Sequence, residues 1–229
     1  MIRFFRFVVG FWAIFNTPYL LSDSAPAPFS AFTFGGYTSH KSGLVESNDT
    51  SSSLVYGIQI HGGDENQIGS EFLVDSTKVD FALNDTAMTT EWQEMAFRYN
   101  LGPLYAGIVV SNVNLTAQKA GTESGSLLQG FGKGFGAQLG CQIDFDRGSH
   151  IILDLRGVSF PDMKELNQKS LSLGTRIDVD VRGSVDLTRN FLDAMFGFRY
   201  RTYSATLDDV SGEETVATTY LGLRMNFAL

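Results

Sequence analysis

The 229-residue sequence predicts one all-β domain: a closed, up-and-down antiparallel transmembrane β-barrel of ten strands, with eight as the alternative count. Three observations predict it. Apolar and polar residues alternate with period two from about residue 30 to the last residue. The connections between alternating runs are by turns tight and long. The face opposite the apolar one is crowded with Gly, Arg and Asp, which suits a curved wall better than the inner face of a soluble sandwich.

The first 27 residues stand apart. Arg3 and Arg6 precede an apolar run from Phe7 to Phe15, and Ala25-Pro26-Ala27 offers small residues at a cleavage point. Residues 1-27 are expected to be an export signal cut after Ala27, and residues 28-229 the barrel domain. The apolar run is too short to cross a bilayer as a helix, which needs about 20 residues.

Composition narrows the rest. Mean hydropathy is -0.01, as alternation requires, because a barrel hides its apolar residues among polar ones. Without Arg3, Arg6 and Asp23 the chain keeps 15 basic against 24 acidic residues. Such an acidic chain is a poor nucleic-acid binder. Cys141 is the single cysteine, which excludes an intrachain disulfide.

In chain order, the first strand lies near residues 30-38, with Phe32 and Phe34 outward. Leu54, Tyr56, Ile58 and Ile60 then oppose Val55, Gly57, Gln59 and His61. Ile68, Phe72 and Val74 oppose Gly69, Glu71, Leu73 and Asp75, after which Val79, Phe81 and Leu83 fall on the other parity and predict a bulge near residues 75-78. Met95, Phe97 and Tyr99 oppose Glu94, Ala96 and Arg98; Leu104, Ala106, Ile108 and Val110 oppose Tyr105, Gly107, Val109 and Ser111.

Phe135, Ala137, Leu139, Cys141, Ile143 and Phe145 oppose Gly136, Gln138, Gly140, Gln142 and Asp144. Ile151, Leu153 and Leu155 oppose Ile152, Asp154 and Arg156. Leu171, Leu173, Ile177, Val179, Val181, Val185 and Leu187 oppose Arg176, Asp178, Asp180, Arg182, Ser184 and Asp186. Ala194, Phe196, Phe198 and Tyr200 oppose Met195, Gly197, Arg199, Arg201 and Tyr203, and the last strand sets Leu221 to Leu229 at odd positions against Gly222, Arg224, Asn226 and Ala228. Outward Tyr56, Tyr99, Phe145, Tyr200 and Phe227 are expected to form an interfacial girdle.

Tight turns are expected at 62-66, 100-103, 146-149 and 188-190, and long loops near 39-53, 76-90, 112-133, 159-169 and 205-215. Pro161 to Asn167 is read as one helical turn capped by Ser159, and every proline is placed outside the ladders. Tight turns on the periplasmic side and long loops outside fit an even strand count with both termini in the periplasm.

Together with the signal, the alternating strands and the glycine-rich inner face, the closing run Tyr220-Leu221-Gly222-Leu223-Arg224-Met225-Asn226-Phe227-Ala228-Leu229 resembles the small bacterial outer-membrane β-barrel superfamily that includes the opacity-protein-like barrels. The resemblance implies the outer membrane of a Gram-negative bacterium, contact with its lipid and lipopolysaccharide, and recognition of the last strand by the barrel assembly machinery. In the usual pattern the final residue is aromatic; here it is Leu229, with Phe227 two places earlier.

The inner face carries the chemistry. Glu71, Asp75, Glu94, Asp144, Asp154, Asp178, Asp180 and Asp186 are expected inside with Arg98, Arg156, Arg176, Arg182, Arg199, Arg201 and Arg224. Such near-balance predicts Arg-carboxylate ladders filling the lumen. An apolar lumen is not expected. The corresponding function is structural or surface-interacting, with a partner at the long loops. A narrow porin-like channel is the alternative, and a lipid- or peptide-modifying enzyme the third.

For an enzyme, His40 with Asp80, Asp85, Asp208 or Asp209 makes up no complete omptin-type site, and His40-Lys41-Ser42 shares only an H-x-S spacing with lipid A deacylases. His40 is expected to be a solvated loop residue, and His61 and His150 interfacial polar groups near turns. Loop residues Asp49, Asp64, Asp208, Asp209, Glu213 and Glu214 could attract calcium, but acidic loops are ordinarily just solvated. No catalytic residue, metal site or cofactor is expected.

Overall fold

In the computed structural model, the described residues are 29-43, 47-62, 68-81, 86-119, 126-145, 149-165, 171-188, 191-207 and 210-227. The expected signal lies outside them. Ten strands follow in order: β1 (Phe29–Ser42), β2 (Ser47–Gly62), β3 (Ile68–Phe81), β4 (Thr86–Leu101), β5 (Leu104–Lys119), β6 (Ser126–Asp144), β7 (His150–Glu165), β8 (Leu171–Asp186), β9 (Leu192–Leu207) and β10 (Val210–Phe227). Each pairs antiparallel with its neighbours in sequence, and β1 pairs with β10 from Phe29↔Phe227 to Ser42↔Glu214, so the sheet closes. Closure leaves no edge strand, which lipid could not satisfy.

At the end of the barrel that holds the termini, Leu101 pairs with Leu104 across a two-residue turn. Gly102 has φ 65° there, a conformation that glycine adopts without cost. The following Pro103 needs no ladder donor, and its carbonyl accepts from Gln142 N at 2.7 Å.

The strands run for 14 to 19 residues, whereas about 9 to 11 suffice to cross a bilayer. The segments expected as long loops are therefore mostly wall. Their alternation has the opposite sense. Outward positions there are mostly polar, as at Lys41, Asn112, Asn114 and Lys133, while inward Val113 and Leu115 are buried.

The same inversion removes the expected bulge in β3. Its pairing with β4 is uninterrupted from Ile68↔Tyr99 to Phe81↔Thr86, so positions 79 and 81 share the inner-face parity of Glu71 and Leu73. The register does not slip.

Bulges lie elsewhere. Between Lys133↔Asp162 and Phe135↔Ser159, Phe160 and Pro161 together face Gly134. Residues 161-165 are thus strand rather than a helical turn, and Pro161 sits inside a ladder at the one kind of interior position that spares a donor. Between Leu173↔Ala205 and Arg176↔Tyr203, Gly174 and Thr175 face Ser204. That extra residue turns Leu173 inward, to 3% exposure, against the outward position its parity predicts.

Below these bulges the outer wall is apolar. On β6, Phe135, Leu139, Ile143 and Phe145 are each more than half exposed. This run covers about 33 Å of strand, or about 25 Å along the axis at a tilt near 40°, the height of a lipid-facing band. Tyr56, Tyr99, Phe145 and Tyr200 are exposed as a girdle requires, while Phe227 is half-buried and packs on Phe29 and Phe191, with ring centroids 5.4 and 6.4 Å away.

Candidate functional site

The lumen is filled in layers. Its middle is a belt of ions, each placed inward by the period-two geometry of its strand. Glu71 comes from β3, Glu94 from β4, Asp154 and Arg156 from β7, Arg176, Asp178, Asp180 and Arg182 from β8, and Arg199 and Arg201 from β9, none more than 5% exposed.

Arg156 is the hub. Its Nη2 donates to Glu71 Oε2 at 2.6 Å, its Nη1 to Glu94 Oε2 at 3.0 Å and its Nε to Asp154 Oδ2 at 2.7 Å. Arg176 bonds Glu94 and lies 3.0 Å from Asp178. Arg201 Nε donates to Asp178 Oδ1 at 2.8 Å, while Asp180 accepts from Arg199 Nη2 at 2.9 Å and from the Tyr220 hydroxyl at 2.6 Å.

Arg182 Nη1 donates to Glu71 Oε1 at 2.6 Å. In the ring of ten strands β8 and β3 stand five places apart, so this bond bars the full diameter. Buried charges are tolerable only when paired and hydrogen-bonded in this way.

An aromatic roof covers the belt. Trp92 stacks on Arg176 and Arg201, 4.7 and 4.9 Å from its ring centroid, and meets Phe160 and Tyr203 edge-on at 5.6 and 5.5 Å. Around it Val113, Leu115, Val158 and Leu173 complete a buried apolar cluster. A second cluster, Phe32, Phe34, Val55, Leu73, Met195 and Tyr220, fills the side next to the β1–β10 closure. The lumen is therefore partly apolar, contrary to the expectation from charge alone, and Phe32 and Phe34 point in rather than out. Inward Phe32 fits because position 57 on β2 is glycine: a Cβ there would come within 2.5 Å of the Phe32 ring.

Toward the termini, Arg224 Nε donates to Asp193 Oδ2 at 2.7 Å, and His150 lies between Arg224 Nη1, 2.9 Å away, and the Ser184 hydroxyl, 3.0 Å away. His150 is buried, not interfacial. At the far end His40 is likewise buried, not a solvated loop residue: its Nε2 lies 2.7 Å from Glu214 Oε2, and Ser42 Oγ donates to Glu214 Oε1 at 2.8 Å. This clamp ties β1 to β10 where the wall has left the bilayer. Ser42 gives its proton to a carboxylate, not to a histidine base, and all three side chains are closed to substrate, so the arrangement lacks the geometry of an activated serine. His40→Ala is expected to speed amide exchange at the far ends of β1 and β10 and to leave residues 220-227 unchanged, as read by hydrogen-deuterium exchange.

The other expected site residues are placed as follows. Asp144 is exposed at the end of β6 and accepts from Gln142 Nε2 at 2.8 Å, so it lies outside the belt. Asp186 is half-buried beside a turn, accepting from Thr188 N at 3.0 Å. The side chains of Asp75, Asp80 and His61, and the whole of Asp85, Asp208 and Asp209, lie outside the described residues. Arg98 is inside, over the Tyr105 ring. Asp193 was legible, since it shares the parity of Met195 and Arg199; Glu214 and His40 were hidden in segments read as loops. Among the described residues no group of His, Cys, Asp and Glu could hold a metal ion.

No family model matches the chain, and no curated protein is similar enough to be matched to it. Among solved structures it is similar to Neisserial surface protein A, with TM-score 0.46 and 13% identity over 89% of this chain and 100% of that one. It is also similar to the outer membrane protease OmpT from Escherichia coli, with TM-score 0.47 and 12% identity over 91% and 99%. The beta domain of the Bordetella autotransporter BrkA gives TM-score 0.44 and 12% identity over 89% and 100%. By its own geometry, a closed antiparallel sheet with a lipid-facing band outside and paired charges within, the chain is a ten-stranded β-barrel of the outer membrane.

Proposed function

We propose that this protein is a non-conducting barrel that works at the cell surface through the part of its wall standing clear of the bilayer, where a partner meets it. The observation that carries the reading is the bar across the lumen: Arg182 bonds Glu71 from the opposite wall, under a roof in which Trp92 is 2% and Val113 and Val158 are 0% exposed. Side chains from opposite strands that meet in this section, with that roof above them, narrow the path open to water. A porin-like channel needs the reverse, a solvated charged wall.

Two measurements test this. Purified full-length protein in a planar bilayer is expected to give no current steps under conditions where an open porin conducts; stable ohmic openings would overturn the closed-lumen reading. In a Cys141→Ser background, Ser204→Cys is expected to react with a membrane-impermeant maleimide on intact cells and Thr188→Cys, exposed beside the turn that follows β8 at the terminus end, is not. Labelling at Thr188→Cys but not at Ser204→Cys would reverse the orientation. In the same reading, the band contacts outer-membrane lipid and lipopolysaccharide, and β10 is the segment offered to the assembly machinery.

A further inference from the structure

Among the described residues, every lumen arginine but one has a carboxylate in contact. Arg156, Arg176, Arg182, Arg199, Arg201 and Arg224 each have a carboxylate within ion-pairing distance. Arg98, 5% exposed on β4, has none among the described residues. Its guanidinium lies over the Tyr105 ring, 4.9 Å from the centroid. Glu71 and Asp154 act on it only from beyond ion-pairing distance, and a π face offsets only a small part of what it costs to bury a cation with no carboxylate in contact.

Four buried polar atoms in this part of the wall have no hydrogen-bond partner: Arg98 Nε, Tyr105 Oη, Gln138 Oε1 and Asp154 Oδ1. The register groups them. Arg98 and Gln138 share a row with Gly107 between them, and Tyr105 and Asp154 share the next row toward the termini with Gly140 between them. Side chains of the patch lie over both glycines: a Cβ would come within 3.0 Å of Gln138 Nε2 at Gly107 and within 2.3 Å of the Tyr105 ring at Gly140.

We propose that Arg98, Tyr105, Gln138 and Asp154 form a binding site for a small monovalent anion, of halide or formate size, held together with one water. The anion accepts from Arg98 Nε and the Tyr105 hydroxyl. The water donates to Gln138 Oε1 and Asp154 Oδ1, which an anion alone could not satisfy. The anion supplies the missing negative charge on the terminus side of the belt, and it loads from that end, since the far side is roofed by Trp92.

The test uses the full-length protein in detergent micelles, with sodium bromide exchanged for sodium gluconate at constant ionic strength. The thermal midpoint of the wild type is expected to rise saturably by about 3 °C or more with bromide. Arg98→Met is expected to give a flat response, and Lys41→Met, which removes an exposed cation at the far end, to respond as the wild type does. Crystals of the wild type grown in bromide are expected to show anomalous density beside the Arg98 guanidinium. Equal bromide responses in wild type and Arg98→Met, or density showing only water or a carboxylate of the chain at Arg98, would overturn the site.

Discussion

Replacing Arg156 with methionine is expected to lower the stability of the folded barrel by about 3 to 5 kcal/mol, the usual cost of removing one member of a buried ion cluster. Arg156 is 3% exposed and serves three carboxylates at once, Glu71, Glu94 and Asp154. Methionine fills much of the volume and none of the charge. Glu71 keeps Arg182 and Glu94 keeps Arg176, but the Arg182 contact with Asp154 is long, at 3.8 Å. Asp154 therefore loses most. Urea titration in lipid vesicles, with tryptophan emission as the signal, measures the change. Lys133→Met on the exposed wall is the control and should move stability by less than about 0.5 kcal/mol. A value for Arg156→Met within that same range would mean that the belt is solvated and not buried.

Trp92→Ala is expected to cost a similar amount, about 3 to 5 kcal/mol, for a different reason. The indole is the centre of the roof: two guanidinium groups lie within 4.9 Å of its ring centroid, and Phe160 and Tyr203 meet it edge-on. Truncation leaves a cavity that Val113 and Val158, both fixed in the wall, cannot close. Trp92→Phe keeps the face that Arg176 and Arg201 lie over and should recover more than half of the loss. If Ala and Phe were equally destabilising, the contribution would belong to the indole N–H and not to packing. Neither variant should conduct in a planar bilayer, because the bond from Arg182 to Glu71 does not involve the roof.

The strand count and the face of most membrane-spanning residues, Phe32 and Phe34 excepted, were legible because lipid and charge impose the same alternation on opposite walls. At Met95, Phe97 and Tyr99 against Glu94, Ala96 and Arg98 the pattern needs no structure to be read. Where the wall enters water the rule changes sign, and a search for outward apolar residues fails. Val113 and Leu115 then look like loop, and His40, followed by polar residues, looks solvated although it is 1% exposed. Leu173 departs from its parity for another reason, since a two-residue bulge at Gly174 and Thr175 cannot be seen in periodicity alone. Pairing partners were likewise invisible. Parity puts Arg98 and Arg156 on the same inner face, but only side-chain geometry shows that Arg156 holds three carboxylates and Arg98 has none within ion-pairing distance among the described residues.

The change of sign along the wall also works as a waterline. On β6 the step from Phe135 to Lys133, and on β4 the step from Met95 through Gln93 to Glu91, mark one height around the barrel. Sinking by two residues would carry these charges into hydrocarbon, at up to about 2 to 4 kcal/mol for each basic residue. Rising by two would strip lipid from Phe135 and Met95. The protein thus carries its own draught, and a bilayer thicker than the band is expected to thin around it, since a rigid, filled barrel cannot stretch to meet it.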